Sequence, residues 1–312
     1  MKRENLKNEV TIKGNLISKR VSRANVGKND ESINLTLVVR VNDIDEHEVN
    51  LFSYKYNMNE NKERLSTNPV SKMFEGYETI ANEYKSFLSV LVEDREEKAR
   101  IEGTETDRVE IKGNLSVNRY VNREGKVIET AQIRGRFCTR ITNDGSNDGA
   151  SWGCHMNLKS ITEKSDITGE YTLIKGIVVD YTEDEYEFRI YKDNIRKGFD
   201  SVFDEGESAY FEGNIVNRVD TAVEETNNES SWGEETQVSV QRKTITRRYL
   251  EMMRGDSYAM DTDDEEHPFS EVNVRKYTAN IKEKRDKKLE EHKAKQTKES
   301  FSAISSDDIE PF

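Results

Sequence analysis

Val10-Thr-Ile-Lys-Gly-Asn-Leu16 returns almost letter for letter as Val109-Glu-Ile-Lys-Gly-Asn-Leu115. Looser copies are Thr172-Leu-Ile-Lys-Gly-Ile-Val178 and Tyr210-Phe-Glu-Gly-Asn-Ile-Val216. Apolar and polar residues alternate in the first copy. That puts Val10, Ile12, Gly14 and Leu16 on the inner face of a strand. A glycine inside such a strand marks a sharp bend, as at the corner of a small closed sheet. The uneven spacing of the copies excludes a solenoid. Four bent strands read as two small barrels, each with two of them.

The residues around the repeat fill in the first barrel. Strands are predicted at Glu9–Val21, Ile33–Val41 and Glu48–Tyr56. A helix follows from about Pro69 to Phe87, where Met73, Phe74, Tyr77, Ile80, Ala81, Tyr84 and Phe87 recur at three- and four-residue steps. Pro69 suits the first turn. Beyond a charged stretch (Glu93 to Asp107), strands at Arg108–Val121 and Val127–Ile141 flank a turn at Arg123–Lys126. Three strands, a helix and two strands is the order of the five-stranded oligonucleotide-binding (OB) barrel. The second copy reads the same way, with strands at Trp152–Lys164, Glu170–Tyr181, Glu185–Lys192, Ser208–Val219 and Gln237–Met252 and a short helix at Ile195–Phe203. A long acidic loop, Asp220–Thr236, separates its last two strands.

The expected fold class is therefore mainly β: two tandem OB-fold barrels, then a charged helical segment and a disordered acidic tail. The divisions are residues 1–142 for the first barrel, 143–150 for an Asn/Asp/Gly linker and 151–254 for the second barrel. An acidic connector (255–266), a charged helical segment (267–299) and an acidic tip (300–312) follow. Val274, Tyr277, Ile281 and Leu289 are sparse apolar points in that helical segment, which reads as a solvated helix docked by one end or a helix-prone linker.

Composition narrows the function. Of 312 residues, 33% are hydrophobic and 35% charged, which suits small domains joined by polar segments. No apolar run approaches a membrane span. The start lacks the apolar stretch of a signal peptide, and two cysteines are too few for a disulfide framework. The expected compartment is the cytoplasm, that of a host cell if the source is viral. Net charge is −13, but unevenly placed. Residues 1–150 carry 25 basic and 25 acidic side chains; residues 151–312 carry 23 and 36. A basic face on the first barrel remains open, and local charge decides binding.

Candidate binding residues gather on that barrel. In Val49-Asn-Leu-Phe-Ser-Tyr-Lys-Tyr56, Val49 and Leu51 share one face and Phe52, Tyr54 and Tyr56 the other. Aromatics opposite the core either stack on bases or pack beneath the helix or a loop; the pattern does not separate the two. Arg134, Arg136 and Arg140 share a face of the fifth strand with Gln132 and Cys138, leaving Ile133, Gly135 and Phe137 on the other. The arginines suggest a phosphate track. Lys13, Lys19, Arg20 and Arg23 on the first strand, Arg40 on the second and Lys55 on the third extend the basic set. Arg119, Tyr120, Arg123 and Lys126 sit at the hairpin that OB barrels commonly turn toward a ligand. In the second copy Trp152 is placed to stack on a base or to pack, while the alternation makes Phe188 core. Arg242, Lys243, Arg247 and Arg248 form a basic run that binds nucleic acid or balances the acidic loop. Catalytic signals are absent: there is no phosphate-binding Gly-rich loop, and Cys138, Cys154 and His155 fit no zinc spacing. No enzyme activity and no cofactor or metal is expected.

The sequence closes on Ser302-Ala-Ile-Ser-Ser-Asp-Asp-Ile-Glu-Pro-Phe312. Asp307, Asp308 and Glu310 are acidic; Ile309, Pro311 and Phe312 are apolar. This stretch resembles the acidic tip of bacterial and phage single-stranded-DNA-binding proteins, which usually reads Asp-Asp-Asp-Ile-Pro-Phe; here Glu310 stands between the Ile and the Pro. Asp204-Glu-Gly-Glu-Ser-Ala-Tyr-Phe-Glu-Gly-Asn-Ile215 resembles the helix-to-strand passage of the same family. Bacterial members commonly carry one barrel per chain, so two barrels resemble large-phage replication proteins instead. The resemblance implies a protein that coats single-stranded DNA without sequence preference during replication, recombination and repair. It also implies recruitment of replication and recombination proteins through the tip, and a monomer or dimer rather than a tetramer. An alternative from another class is an adaptor whose barrels bind proteins, since fold does not fix function.

Overall fold

All four copies of the repeat lie in strands, and two of them show why the glycine is needed. A Cβ at Gly14 would collide with the carbonyl of Arg40, and one at Gly113 with that of Arg134. Only glycine permits such a crossing of backbones. Next to Gly14 the first strand changes partner along its length. It pairs with one neighbour over Val10–Asn15 and with another from Asn15 to Asn25.

The computed structural model describes residues 3–25, 31–59, 63–87, 106–142, 147–166, 168–228 and 237–304. After a 3-10 turn at Arg3–Asn5 come β1 (Asn8–Asn25), β2 (Glu31–Arg40), β3 (Glu46–Tyr54), α1 (Lys72–Glu83), β4 (Arg108–Val121) and β5 (Val127–Arg140). β6 (Gly149–Asp166), β7 (Gly169–Val179), β8 (Glu183–Ile190), α2 (Asp193–Asp200), β9 (Ser208–Asn228), β10 (Gln237–Gly255) and α3 (Glu271–Ile304) follow. The first five strands close on themselves in the order β1-β2-β3-β5-β4, with a short parallel β3–β5 pairing as the seam. The second five repeat this as β6-β7-β8-β10-β9, with a parallel β8–β10 seam. The predicted order of three strands, helix and two strands thus occurs twice.

The rings are joined edge to edge. β1 and β6 pair antiparallel, with Val10 opposite Trp152. Each strand carries a bulge at matching positions, Leu16–Ser18 in β1 and Leu158–Ser160 in β6. Val10 therefore meets its own counterpart across a local two-fold axis.

Each ring is filled from its own strands and capped by its own helix. In the first, Ile12, Leu16, Ile33, Leu35, Leu37, Val49, Leu51 and Ile111 are sealed from solvent, and Phe74, Tyr77 and Ile80 of α1 close the end. Burying each such aliphatic chain is worth about 1.5–3 kcal/mol. In the second, Met156, Leu158, Ile174, Phe188 and Phe211 are enclosed, and Phe199 and Phe203 pack over Phe211. Phe188 is core, as the alternation predicts.

Three features differ from the sequence reading. First, β9 and β10 run on as paired strands to Asn228 and from Gln237, where a loop beginning at Asp220 is predicted. Continuous antiparallel pairing of a hairpin satisfies the backbone of a polar sequence as well as a loop does. Second, β5 carries a bulge: Phe137 pairs with Lys112 but Gly135 with Gly113, leaving Arg136 as the extra residue. The alternation changes hand there. Phe137 turns outward and is 61% exposed, while Cys138 turns toward the core. The predicted shared face of Arg134, Arg136, Cys138 and Arg140 is broken by that extra residue. Third, Tyr56 lies past the end of β3, in an isolated bridge to Val70. The helical segment takes the first of its two predicted forms, docked by one end: Phe269 just before α3, with Tyr277 and Ile281, forms a second apolar cluster with Ile177 and Val179 of β7. The acidic tip from Asp307 to Phe312 lies outside the described residues. Among the described residues no helix is long and apolar enough to cross a membrane.

Candidate functional site

The outer face of the first ring can be read row by row from the register. Arg20 on β1 lies beside Thr36 on β2, Thr36 beside Asn50 on β3, and Asn50 beside Arg134 on β5. Thr36 Oγ1 donates to Asn50 Oδ1 at 3.0 Å, tying the middle of the row. Arg20 and Arg134 stand exposed at its ends. Neither has a carboxylate within ion-pair distance among the described residues. Further along β3, Phe52 and then Tyr54 project from the same face. Their rings meet edge to face, 4.9 Å apart at 85°. Both are half-buried, neither sealed in the core nor fully in water. Arg64, from the connection before α1, lays its guanidinium 3.8 Å from the centre of the Tyr54 ring. Tyr56 is also half-buried, with the Lys55 amine 5.4 Å from its ring centre and Lys55 in turn paired with Glu31.

Such a surface offers flat rings to other flat rings and two uncompensated guanidinium groups to anions. Arg64 escaped the sequence reading because it lies in a connection outside any alternating strand.

The other candidates divide by what already holds them. Tyr120, Arg123 and Lys126 are exposed at the β4–β5 hairpin, where Gly125 takes a φ of 78°. Lys126 pairs with its neighbour Glu124, at 3.5 Å. Lys13 pairs with Glu110 at 3.3 Å, and Arg40 with Glu46 at 2.7 Å. Arg136 reaches Asp180 at 3.5 Å, and Arg140 pairs with Asp107 at 2.9 Å while lying over the Tyr84 ring. Of the three arginines on β5, Arg134 alone is without a carboxylate among the described residues, so a track free of matching acids is reduced to that one position.

Three candidates are committed elsewhere. Lys19 donates from Nζ to the carbonyls of Ile80 and Ala81 in the last turn of α1. Loss of hydration there pulls its pKa below the ordinary value, against the pull of Asp107. Arg119 is 11% exposed and pairs with Glu129 and with Asp184, the latter at 2.6 Å; it joins one ring to the other. Trp152 is 2% exposed, stacks on Phe188 with 4.6 Å between ring centres, and donates its indole N–H to the carbonyls of Asn214 and Glu251. A base cannot reach it. Its burial follows from β6 lying between β1 and β9, which places the start of the strand in the second core.

The matching row on the second ring is Thr162, Leu173, Arg189 and Glu251. Its one arginine is engaged: Arg189 pairs with Asp166 at 3.2 Å and lies over Tyr171 and Tyr249. Between the rings runs a groove of about 860 Å³. Its walls include Asn50 and Gln132 from the first ring and Tyr249 and Arg248 from the second, and Arg285 of α3 also lines it. Among the described residues no group of His, Cys, Asp and Glu side chains is placed to hold a metal ion. Cys138 and Cys154 are free thiols whose pKa values burial pushes up, Cys138 to about 12.

A family model described as YorF matches residues 7–295 of the chain. No curated protein matches it. Among solved structures, a deletion variant of the single-stranded DNA binding protein from Thermus aquaticus is similar at a TM-score of 0.47 and 12% identity, covering 83% of this chain and 98% of that one. The wild-type Thermus aquaticus protein gives 0.46 and 12%, over 80% and 92%. A replication protein A heterotrimer bound to single-stranded DNA gives 0.19 and 11%, over 88% of this chain and 53% of that one.

Proposed function

We propose that this chain, which belongs to the YorF family, binds single-stranded DNA without sequence preference and performs no chemistry on it. The observation that carries this is the outer face of the first ring. Phe52 and Tyr54 present rings beside Arg20 and Arg134, two cations in register across the sheet with no acid among the described residues to neutralise them. Bases stack on the rings and phosphates lie along the guanidinium groups, which is what sequence-tolerant single-strand binding requires. Tyr120, Arg123 and Lys126 extend the face at the hairpin. The second ring contributes less, because its equivalent row ends in Glu251 and its arginine is already held.

In this reading the protein coats transient single strands during replication, recombination and repair, in the cytoplasm or in that of a host, as a monomer or dimer. The tip, Asp307, Asp308, Ile309, Glu310, Pro311 and Phe312, recruits replication and recombination proteins: Phe312 enters an apolar pocket and the carboxylates meet basic residues around it.

The deciding experiment is a titration of oligo-dT and of duplex DNA across a range of salt. Tight binding to oligo-dT, weaker to duplex, with log affinity falling linearly in log salt, is expected. Replacing Arg20 or Arg134 by Ala should each reduce the slope by about 0.7, the contribution of one neutralised phosphate on a single strand. No binding to oligo-dT at low salt would sink the proposal and favour a protein-binding adaptor.

A further inference from the structure

The bulge in β5 creates a feature that the first-ring face does not account for. Two large aromatic rings stand in water near this bulge. Phe137, turned outward by the bulge, is 61% exposed, and Tyr181, in the β7–β8 turn of the other ring, is 82% exposed. Arg136, the residue before Phe137 on the strand, lies 5.2 Å over the Tyr181 ring. It is held there by Asp180 at 3.5 Å, and Asn114 donates to the same carboxylate at 3.2 Å. The β7–β8 turn is itself anchored, since Arg3 Nε donates to the Asp180 carbonyl at 2.9 Å. Exposed Lys112 pairs in register with Phe137. An aromatic exposed to this degree forgoes the burial that aromatics usually gain. Here two do so beside fixed cations.

The position fits an occupant. In the parallel β3–β5 seam Asn50 is level with Arg134 and Leu51 with Gly135. The paired register ends there, and Arg136, the extra residue of the bulge, follows Gly135 on β5. A strand that stacks on Tyr54 and Phe52 and crosses β5 past Arg134 arrives at Arg136, and then at Phe137 and Tyr181. We propose that Phe137 and Tyr181, with Arg136 and Lys112, form a second stacking platform that carries single-stranded nucleic acid from the first ring toward the second. This rests on the reading of the first ring as a single-strand binder and adds the direction in which the strand leaves it. The occupant is a nucleic acid, not an apolar protein face. A guanidinium covers the Tyr181 ring, and exposed Lys112, opposite Phe137 and without an ion-pair partner among the described residues, calls for phosphate.

The test is a length series of oligo-dT with the full chain and with the double variant Phe137→Ser/Tyr181→Ser. Neither ring supports the core, so circular dichroism of the variant should match the parent. Short oligonucleotides that fill only the Phe52/Tyr54 face should bind both proteins equally. Longer ones should bind the parent more tightly, and the variant about tenfold less tightly than the parent. Phe137→Tyr/Tyr181→Phe, which keeps both π-faces, should restore the difference. Equal affinity of parent and serine variant at every length overturns this proposal and leaves the first-ring site standing. Failure of the parent to bind any length removes both.

Discussion

His47 and the Tyr54–Tyr56 pair mark the two ends of what single side chains do in this protein. His47 is 1% exposed on the inner side of β3, and its Nε2 has no hydrogen-bond partner among the described residues. Burial lowers its pKa from 6.5 to about 4, with Asp45 opposing. The folded protein therefore holds the neutral ring, and the unfolded chain binds the proton first. The stability His47 preserves is complete above about pH 6.5 and is lost as pH falls toward 4, on the order of 3 kcal/mol in total. Urea unfolding at pH 7.5 and 4.5 should show this loss in the parent, and a smaller loss in His47→Gln. Tyr54 and Tyr56 keep their rings half in water. Tyr54→Ala and Tyr56→Ala should leave the unfolding midpoint nearly unchanged but weaken oligo-dT binding by about 1–3 kcal/mol for each stacked base lost, read by fluorescence anisotropy. Unchanged affinity in both would take the stripe out of the site. The alternation shows that these rings oppose Val49 and Leu51. It cannot show that Trp152, equally aromatic, is sealed, because that depends on carbonyls of Asn214 and Glu251 brought from far along the chain.

Among the elements, β5 parts company most clearly with its sequence, while α3 chooses between two readings of its own. About half of α3 is charged, and its sparse apolar points fit a helix docked by one end or a helix-prone linker. Those apolar residues sit where Ile177 and Val179 of β7 need cover, so the helix is docked. Ile281→Ala should cost about 2–5 kcal/mol in urea denaturation, the range for opening a cavity in a packed cluster. A cost within 0.5 kcal/mol would mean that the helix merely rests on the sheet. β5 obeys its alternation up to Gly135 and then gains a residue. A bulge leaves no mark in a hydrophobic pattern, since it trades one hydrogen-bonded pair for a local twist. Phe137 therefore faces water and Cys138 the core, the reverse of what the alternation suggests.

Across the whole molecule, the rings are held by more than their shared β1–β6 edge. Arg119 of β4 reaches Asp184 of β8, and both Arg119 and Arg285 of α3 meet Glu129 of β5. Arg285 also pairs with Glu185 at 3.5 Å, and Lys284 with Glu183 at 3.4 Å. These charges are mostly withdrawn from water, so losing one partner strands the others. Arg119→Ala should cost about 3–5 kcal/mol. It should also split one calorimetric unfolding transition into two, as the rings come apart energetically. A single transition at the parent temperature would show that the β1–β6 edge carries the coupling alone. The same network explains how an anionic chain keeps a basic face. Many of its carboxylates are spent on Arg119, Arg136, Arg140 and Arg285, away from Arg20 and Arg134.

What the sequence by itself determined is local and periodic. The recurring Lys-Gly-Asn strands, the three-strand, helix, two-strand order in duplicate, the inward set on each strand and the outward Phe52 and Tyr54 all follow from period and from the absence of a Cβ at Gly14 and Gly113. The tertiary structure alone decided which cations are free. An arginine on a strand face is available or neutralised according to the carboxylate that a distant segment places beside it, as Asp180 does for Arg136 and Asp184 for Arg119. Charge pairing acts through space at 3–4 Å, and no pattern along a chain records that distance.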